Sequence, residues 1–260
     1  MAGLLDWQMA HFMAYLLVLV RVLGILSVAP VIGSRNVPFQ VRAGLGLVLA
    51  LVLVAGLPGA QVVYTGGLHL LWSAVQETLL GLCIGFVALM IFESLQMAGE
   101  VMGVQIGFAL ADVVDPVTSE SVSLLGQFQY LLGTLVFVVI GGPMMIVEAL
   151  YKSLLAVPPG TAVMYLSTAH DIAGFFSTVL LAAVQFAAPV VILMLLISIA
   201  MGIIGRTVPQ FNILFVGIPI RTLVGLALMI VGMEYTVYHL VDLIGTLPGE
   251  FEHIIMGFAG

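Results

Sequence analysis

The stretch from Ile172 to Gly205 reads IAGFFSTVLLAAVQFAAPVVILMLLISIAMGIIG, and no charged residue lies between Asp171 and Arg206. About 20 apolar residues in an α-helix cross the hydrocarbon core of a bilayer with every backbone N–H and C=O bonded inside the helix. The stretch therefore predicts a long apolar helix that can span a membrane.

The whole chain has the same character. Of its 260 residues, 62% belong to the AVILMFWYC set and 7% are charged, whereas soluble domains carry about 25% charged residues. So little polar surface cannot cover a globule in water, which excludes a water-soluble protein. Six Lys and Arg against 13 Asp and Glu give a formal net charge of −7, so there is no basic field to hold nucleic acid.

Gly- and Pro-rich turns divide the apolar runs into helices. The sequence predicts an all-α integral membrane or membrane-associated protein with about six long apolar helices, near residues 12–32, 43–63, 68–92, 124–150, 177–204 and 213–246. Residues 93–123 contain five acidic residues and no basic one, followed by a Pro and a Ser/Thr cluster. We interpret that segment as a loop or a broken helix.

Motifs of enzyme chemistry are missing from the sequence. It has no Gly-x-Ser-x-Gly, no His-Glu-x-x-His, no Walker-type loop and no metal-binding Cys/His spacing. The five histidines are scattered, mostly near predicted helix ends, where an interfacial or capping role is the expectation. We therefore expect no catalytic residues, no cofactor and no bound metal.

Glycines recur every four residues at positions 81 and 85 and again at 99, 103 and 107. This spacing leaves a shallow groove along one side of a helix, into which a neighbouring backbone can fit. Tight packing between helices of the chain is one interpretation, and homodimerisation is the other.

Polar residues also interrupt the apolar helices. Glu93, Gln96 and Glu100 are spaced i, i+3, i+7 and would form a polar stripe beside the glycines if the helix continues. Such a stripe can line an aqueous passage or point into solvent beyond the membrane. Arg21 and Glu77 stand alone in apolar helices, and pairing between them is a further hypothesis.

Two blocks of sequence carry a family resemblance. Residues 104–116, VQIGFALADVVDP, resemble the Q-x-GFAxAxxxDP stretch of the FliR family. Residues 205–213, GRTVPQFNI, followed by GIPIR at 217–221 and by Gly225, are similar to that family's GRxxPQxN and PxKxxxG pattern. Arg221 stands where the family usually has Lys, and Pro143-Met144-Met145 follow a Gly-Gly pair that precedes His-His in many members.

The resemblance covers nearly the whole chain and implies a core subunit of the flagellar type III protein export gate. Such a subunit is a conduit component in the inner membrane at the flagellar basal body, built with FliP and FliQ, adjoining FlhB and FlhA, and passing exported flagellar proteins. It also implies a single domain over residues 1–260, with a FliP-like portion at about 1–176 and a FliQ-like helical hairpin at about 177–250.

Two other functions stay open at this point. The homologous subunit of a virulence injectisome shares both blocks. A secondary transporter would instead use broken segments at 93–123 and 205–221 to bind a solute near the middle of the membrane.

The resemblance also suggests roles for particular residues. Gly107 to Ser123 should form a gate or plug loop, because Asp115-Pro116 stops a helix and Gly107 allows unusual backbone angles. Phe108 is the candidate plug residue, a simple packing contact being the alternative. Candidate loop residues are Gly107, Phe108, Asp112, Asp115 and Pro116, and the candidate lumen face is Glu93, Gln96 and Glu100. The candidate partner joint comprises Arg206, Pro209, Gln210, Asn212, Pro219 and Arg221, for which a positively charged cytoplasmic turn is the alternative.

Overall fold

The structure, a computed structural model, describes residues 2–34, 37–56, 66–108, 123–207 and 213–259. Within those ranges all regular secondary structure is helical. The helices are α1 (Ala2–Val28), α2 (Phe39–Gly56), α3 (Gly67–Ile106), α4 (Leu124–Val139), α5 (Gly142–Ala156), α6 (Leu166–Thr207) and α7 (Ile213–Ala259). The predicted all-α fold is confirmed.

Five of these helices are long and apolar enough to cross a membrane: α1, α2, α3, α6 and α7. Helices α4 and α5 together meet the same criterion but meet at a bend of 66°. This bend corrects the prediction of one helix over 124–150. Gly141 adopts a left-handed φ of +83°, which glycine allows at low cost, and Pro143 lies in the first turn of α5.

The prediction of a loop or broken helix from residue 93 was wrong as far as residue 106. Helix α3 continues unbroken to Ile106, because both of the carboxylates beyond residue 92, on Glu93 and Glu100, lie on its exposed side. No carboxylate has to be buried for the helix to continue, so the acidic residues do not end it.

The chain divides into two compact units, and α3 contributes to both. The first unit comprises Met1–Met90, Gly141–Ser177 and Ile244–Gly260. In it, α1 and α3 approach each other through glycines: a Cβ added at Gly81 would collide with the carbonyl oxygen of Arg21, and one at Gly24 would lie 2.9 Å from the carbonyl oxygen of Thr78. Leu80, Ile84 and Phe251 are among its fully buried side chains.

The second unit comprises Ile91–Ile140 and Thr178–Leu243. A Cβ at Gly99 of α3 would lie 2.5 Å from the carbonyl oxygen of Leu125 and 2.6 Å from the Cα of Gly126 in α4. The ring of Phe92 lies 5.3 Å from that of Phe137, edge to face. The glycine pattern therefore packs helices of the same chain tightly, which confirms the first of its two interpretations.

Candidate functional site

Helix α3 ends at a glycine, immediately before the predicted plug loop. The N–H of Gly107 donates to the carbonyl of Val104 at 3.2 Å, and the N–H of Phe108 donates to that of Gly103 at 3.0 Å. These two bonds form a Schellman motif, which requires the left-handed φ that Gly107 adopts, +104°. The prediction that Gly107 takes an unusual backbone angle is confirmed.

The far end of the predicted loop returns to the same place. Ser123 caps α4 by accepting a 3.2 Å hydrogen bond from the N–H of Gly126 through its Oγ. That Oγ would lie 3.2 Å from a Cβ added at Gly103. Ser123, the last residue of the predicted loop, therefore lies beside the last turn of α3. Asp112, Asp115 and Pro116 lie outside the described residues.

Helix α7 contacts α3 at this point. A Cβ at Gly225 would collide with the side chain of Ile106, the last residue of α3 and the neighbour of Gly107. Ile106 belongs to the first family-like block of sequence and Gly225 to the second. The fold thus brings the two blocks together although about a hundred residues separate them along the chain.

The predicted polar stripe exists on α3. Glu93 and Glu100 are exposed and Gln96 is half-buried. The amide nitrogen Nε2 of Gln96 donates to Oε1 of Glu100 at 3.2 Å. Leu95 and Ala98, on the other side of the helix, are fully buried. The stripe is one-sided, and it lies within four turns of Gly107.

The predicted joint is only partly within the described residues. Arg206 lies exposed in the last turn of α6, while Pro209, Gln210 and Asn212 fall outside the described residues. Pro219 and Arg221 lie inside α7, exposed and half-buried respectively. Five residues, 208–212, connect the two helices.

A buried polar network in the first unit contains the pair that the sequence suggested and main-chain partners that sequence reasoning missed. Arg21 and Glu77 are fully buried, and Nε of Arg21 donates to Oε2 of Glu77 at 2.5 Å. The terminal nitrogens of Arg21 donate to the carbonyls of Ser153 and Val157, each at 2.9 Å. The other oxygen of Glu77 accepts from the N–H of Gly160 at 2.8 Å. The hypothesis that Arg21 pairs with Glu77 is confirmed.

This network satisfies the C-terminal end of α5. The last carbonyls of a helix lack partners within it, and a cation there also complements the helix dipole. In the adjoining connection, the N–H of Met164 donates to Oε1 of Gln76 at 3.1 Å. The only sequence signal was two opposite charges in apolar helices, since the other partners are main-chain groups.

Comparison with known proteins now adds to this geometry. The family model described as bacterial export proteins, family 1, matches residues 12–247. The chain belongs to the FliR family of bacterial export proteins. The flagellar biosynthetic protein FliR of Bacillus subtilis (strain 168) is 32% identical over 229 residues, which are 86% of this chain and 87% of that protein. The FliR protein of Escherichia coli (strain K12) is 30% identical over 225 residues, which are 86% of this chain and 84% of that protein. The FliR protein of Caulobacter vibrioides (strain ATCC 19089 / CIP 103742 / CB 15) is also 30% identical over 225 residues, which are 84% of this chain and 87% of that protein.

The FliR family match includes both blocks that meet at Ile106 and Gly225. Among the described residues of this family member, no group of three or more His, Cys, Asp or Glu side chains could hold a metal ion. The described part of the site consists of apolar packing, backbone capping and a polar helix face.

Proposed function

We propose that the chain is a core subunit of the flagellar type III protein export gate, in the inner membrane at the flagellar basal body. It forms part of the conduit for unfolded flagellar proteins and catalyses no reaction. FliP and FliQ are its partners, with FlhB and FlhA adjoining. The observation that carries this proposal is the contact between Ile106 and Gly225, which joins both family-like blocks at the start of one loop.

The loop can close a passage because its ends are fixed. Gly107 ends α3, and Ser123, which caps α4, lies beside the last turn of α3. Phe108 follows the Schellman glycine and is half-buried. We assign Phe108 to the apolar plug, and Gly107, Asp112, Asp115 and Pro116 to the loop that carries it.

The polar stripe supplies the wall of the passage. Glu93, Gln96 and Glu100 lie on one side of α3, opposite the buried side chains. Carboxylates and amides need water or donors, and a water-filled lumen provides both. An unfolded polypeptide also needs hydration for its backbone groups, which this face would maintain.

The partner joint lies at the connection between α6 and α7. We assign to it Arg206, Pro209, Gln210, Asn212, Pro219 and Arg221. Arg206 is exposed and makes no hydrogen bond or ion pair with any described residue, so its guanidinium is available to a carboxylate of another subunit. This assignment treats residues 177–250 as a FliQ-like hairpin and residues 1–176 as a FliP-like portion, within one domain.

Affinity purification in mild detergent, followed by mass spectrometry, tests this proposal. The wild-type chain should bring FliP and FliQ in a fixed ratio. Replacing Arg206 and Gln210 together by Ala should abolish recovery of FliQ while the chain still inserts and accumulates. Thr207→Ala is the matched control, because the Thr207 hydroxyl is exposed and donates only to carbonyls of its own helix.

Recovery of neither FliP nor FliQ by the wild-type chain would contradict the proposed function. Recovery of their injectisome counterparts would instead support the virulence alternative. Full recovery of the complex by the double variant, with normal motility, would mean that Arg206 and Gln210 belong to a positively charged cytoplasmic turn and not to a partner joint.

A further inference from the structure

A groove lies between α5 and the last turns of α7, within the first unit. Its volume is about 350 Å³. The lining is mainly apolar: Met145, Ala149, Leu155, Phe251, Ile255 and Met256. Phe251 and Ile255 are 2% and 4% exposed and form the floor, whereas Leu155 and Met256 are more than half exposed and form the edges.

Charged side chains lie on both sides of the groove. On α5, Nζ of Lys152 lies 2.9 Å from Oε1 of Glu148, and both side chains are more than half exposed. On α7, Glu252 is exposed and its charge attracts that of Lys152, but no hydrogen bond or ion pair joins Glu252 to a described residue. The rim therefore carries two carboxylates and one ammonium group, a net negative charge.

These charges place the groove outside the hydrocarbon of a bilayer. Helix α7 has 47 residues and is about 70 Å long, more than twice the thickness of a hydrocarbon core. An upright helix of this length extends beyond the lipid tails, and the end of α7 carries Glu250, Glu252 and His253. Exposing Glu148, Lys152 and Glu252 to lipid tails would be costly, so lipid chains do not fill the apolar floor.

We propose that this groove docks an amphipathic helix of another protein chain, one that places two or three large apolar side chains in the groove and a basic side chain against Glu252. An apolar cavity of this size open to water is unfavourable, and apolar side chains of a partner would remove it. The two methionines can adapt to the shape of such a helix because their side chains are unbranched and flexible. The net negative rim selects a basic partner.

Site-specific photocrosslinking in cells tests this docking site, with p-benzoylphenylalanine as the probe at Leu155 or at Met256. The matched control is the probe at Tyr151, which is exposed on α5 but does not line the groove. Both groove positions should give an adduct of one defined mass, and the control should not. Mass spectrometry of the adduct should locate the crosslink in an amphipathic segment that contains Lys or Arg.

A charge exchange then tests the pairing. Glu252→Lys should lower the yield of adduct roughly fivefold, because it reverses the charge that faces the partner's basic residue. The amount of the chain should not fall, because Glu252 is exposed. Changing the partner's basic residue to Glu should restore the yield in the Glu252→Lys chain. Glu250→Gln, on the same helix but not lining the groove, should leave the yield unchanged.

Four outcomes overturn the proposal. They are no adduct at either groove position, adducts with lipid only, an adduct with a second copy of this chain, and an adduct with an acidic segment. The test does not depend on export, since the adduct is scored on the chain itself. If the chain gives the expected adduct but does not support export of flagellar proteins, the proposed function is contradicted and the docking site stays supported.

Discussion

Arg21 shows how this chain keeps a full charge in an apolar core. Its guanidinium donates to the carboxylate of Glu77 and to two backbone carbonyls near the end of α5. Among the described residues no buried side-chain nitrogen or oxygen lacks a hydrogen-bond partner. Desolvating two charges is costly, and the cost is offset only when the geometry is good and the remaining donors and acceptors are satisfied.

Removing one member of the pair should therefore be far worse than removing both. We expect Arg21→Ala or Glu77→Ala to lower the free energy of unfolding by roughly 3 to 5 kcal/mol, because each leaves an uncompensated buried charge. The double variant Arg21→Met with Glu77→Met should recover part of that loss, because no charge then stays buried, although the carbonyls of Ser153 and Val157 and the N–H of Gly160 lose their partners. Thermal unfolding in detergent, followed by reaction of Cys83 with a thiol-reactive dye, measures the difference.

The exposed pair of Glu148 and Lys152 is the control for this prediction. Lys152→Ala should leave the unfolding temperature nearly unchanged, because exposed pairs contribute little to stability. A double methionine variant no more stable than the worse of the two single variants would mean that the pair itself stabilises the fold.

At the scale of the elements, α3 is central because its glycines serve two different neighbours. Gly81 and Gly85 bring its first half against the backbone of α1, at Arg21 and Ile25. Gly99 brings its second half against α4. One helix is thus held by close backbone packing in each of the two units.

This packing predicts opposite effects for two glycine substitutions. Gly99→Ala should lower the free energy of unfolding by roughly 1 to 3 kcal/mol, because the added methyl meets backbone atoms of α4 that cannot move cheaply. Gly44→Ala in α2 should stabilise the chain by up to about 1 kcal/mol, since nothing lies within 4 Å and alanine favours the helix. Thermal unfolding of both variants checks the signs, and equal effects would contradict the packing.

The exposed side of α3 gives a prediction of its own. In a chain with Cys83 replaced by Ala, cysteines at Glu93, Gln96 and Glu100 should react with small charged thiol reagents in the assembled gate. Cysteines at Leu95 and Ala98 should not, because those positions are buried. Equal labelling of all five positions would mean that no single side of α3 faces a water-filled lumen.

Sequence patterns predicted the helices well where long apolar runs decide the structure, and less well where single residues do. The run from Asp171 to Arg206 could hardly be anything but a helix. The bend at Gly141 was missed because a Gly-Gly pair can end a helix or lie inside one. The sequence prediction ended α3 too early, because a segment rich in acidic residues is typical of a loop. Exposed acidic residues do not break a helix.

The candidate site was predictable in part, for a similar reason. The backbone angle of Gly107 follows from its residue type and its place at a helix end. The contact of Ile106 with Gly225 could not be predicted from spacing, since it depends on packing across about a hundred residues. The partners of Arg21 in α5 are carbonyl groups, which leave no mark in the sequence.

At the scale of the whole molecule, each of the two compact units holds different features. The first holds the buried ion pair and the groove between α5 and α7. The second holds the two ends of the plug loop, the polar stripe and the start of α7. We propose that one unit of this FliR-family chain carries a passage and its closure, and that the other unit offers a separate docking surface.

The central claim is that the loop between Gly107 and Ser123 closes a passage through the assembled gate. Entry of a small fluorescent solute into cells with residues 110–119 deleted tests it most directly, with a strain lacking FliP as the control in which no gate assembles. We expect rapid entry when the deleted chain assembles with its partners and no entry without FliP. An assembled gate that stays tight after the deletion would mean that the loop does not close a passage.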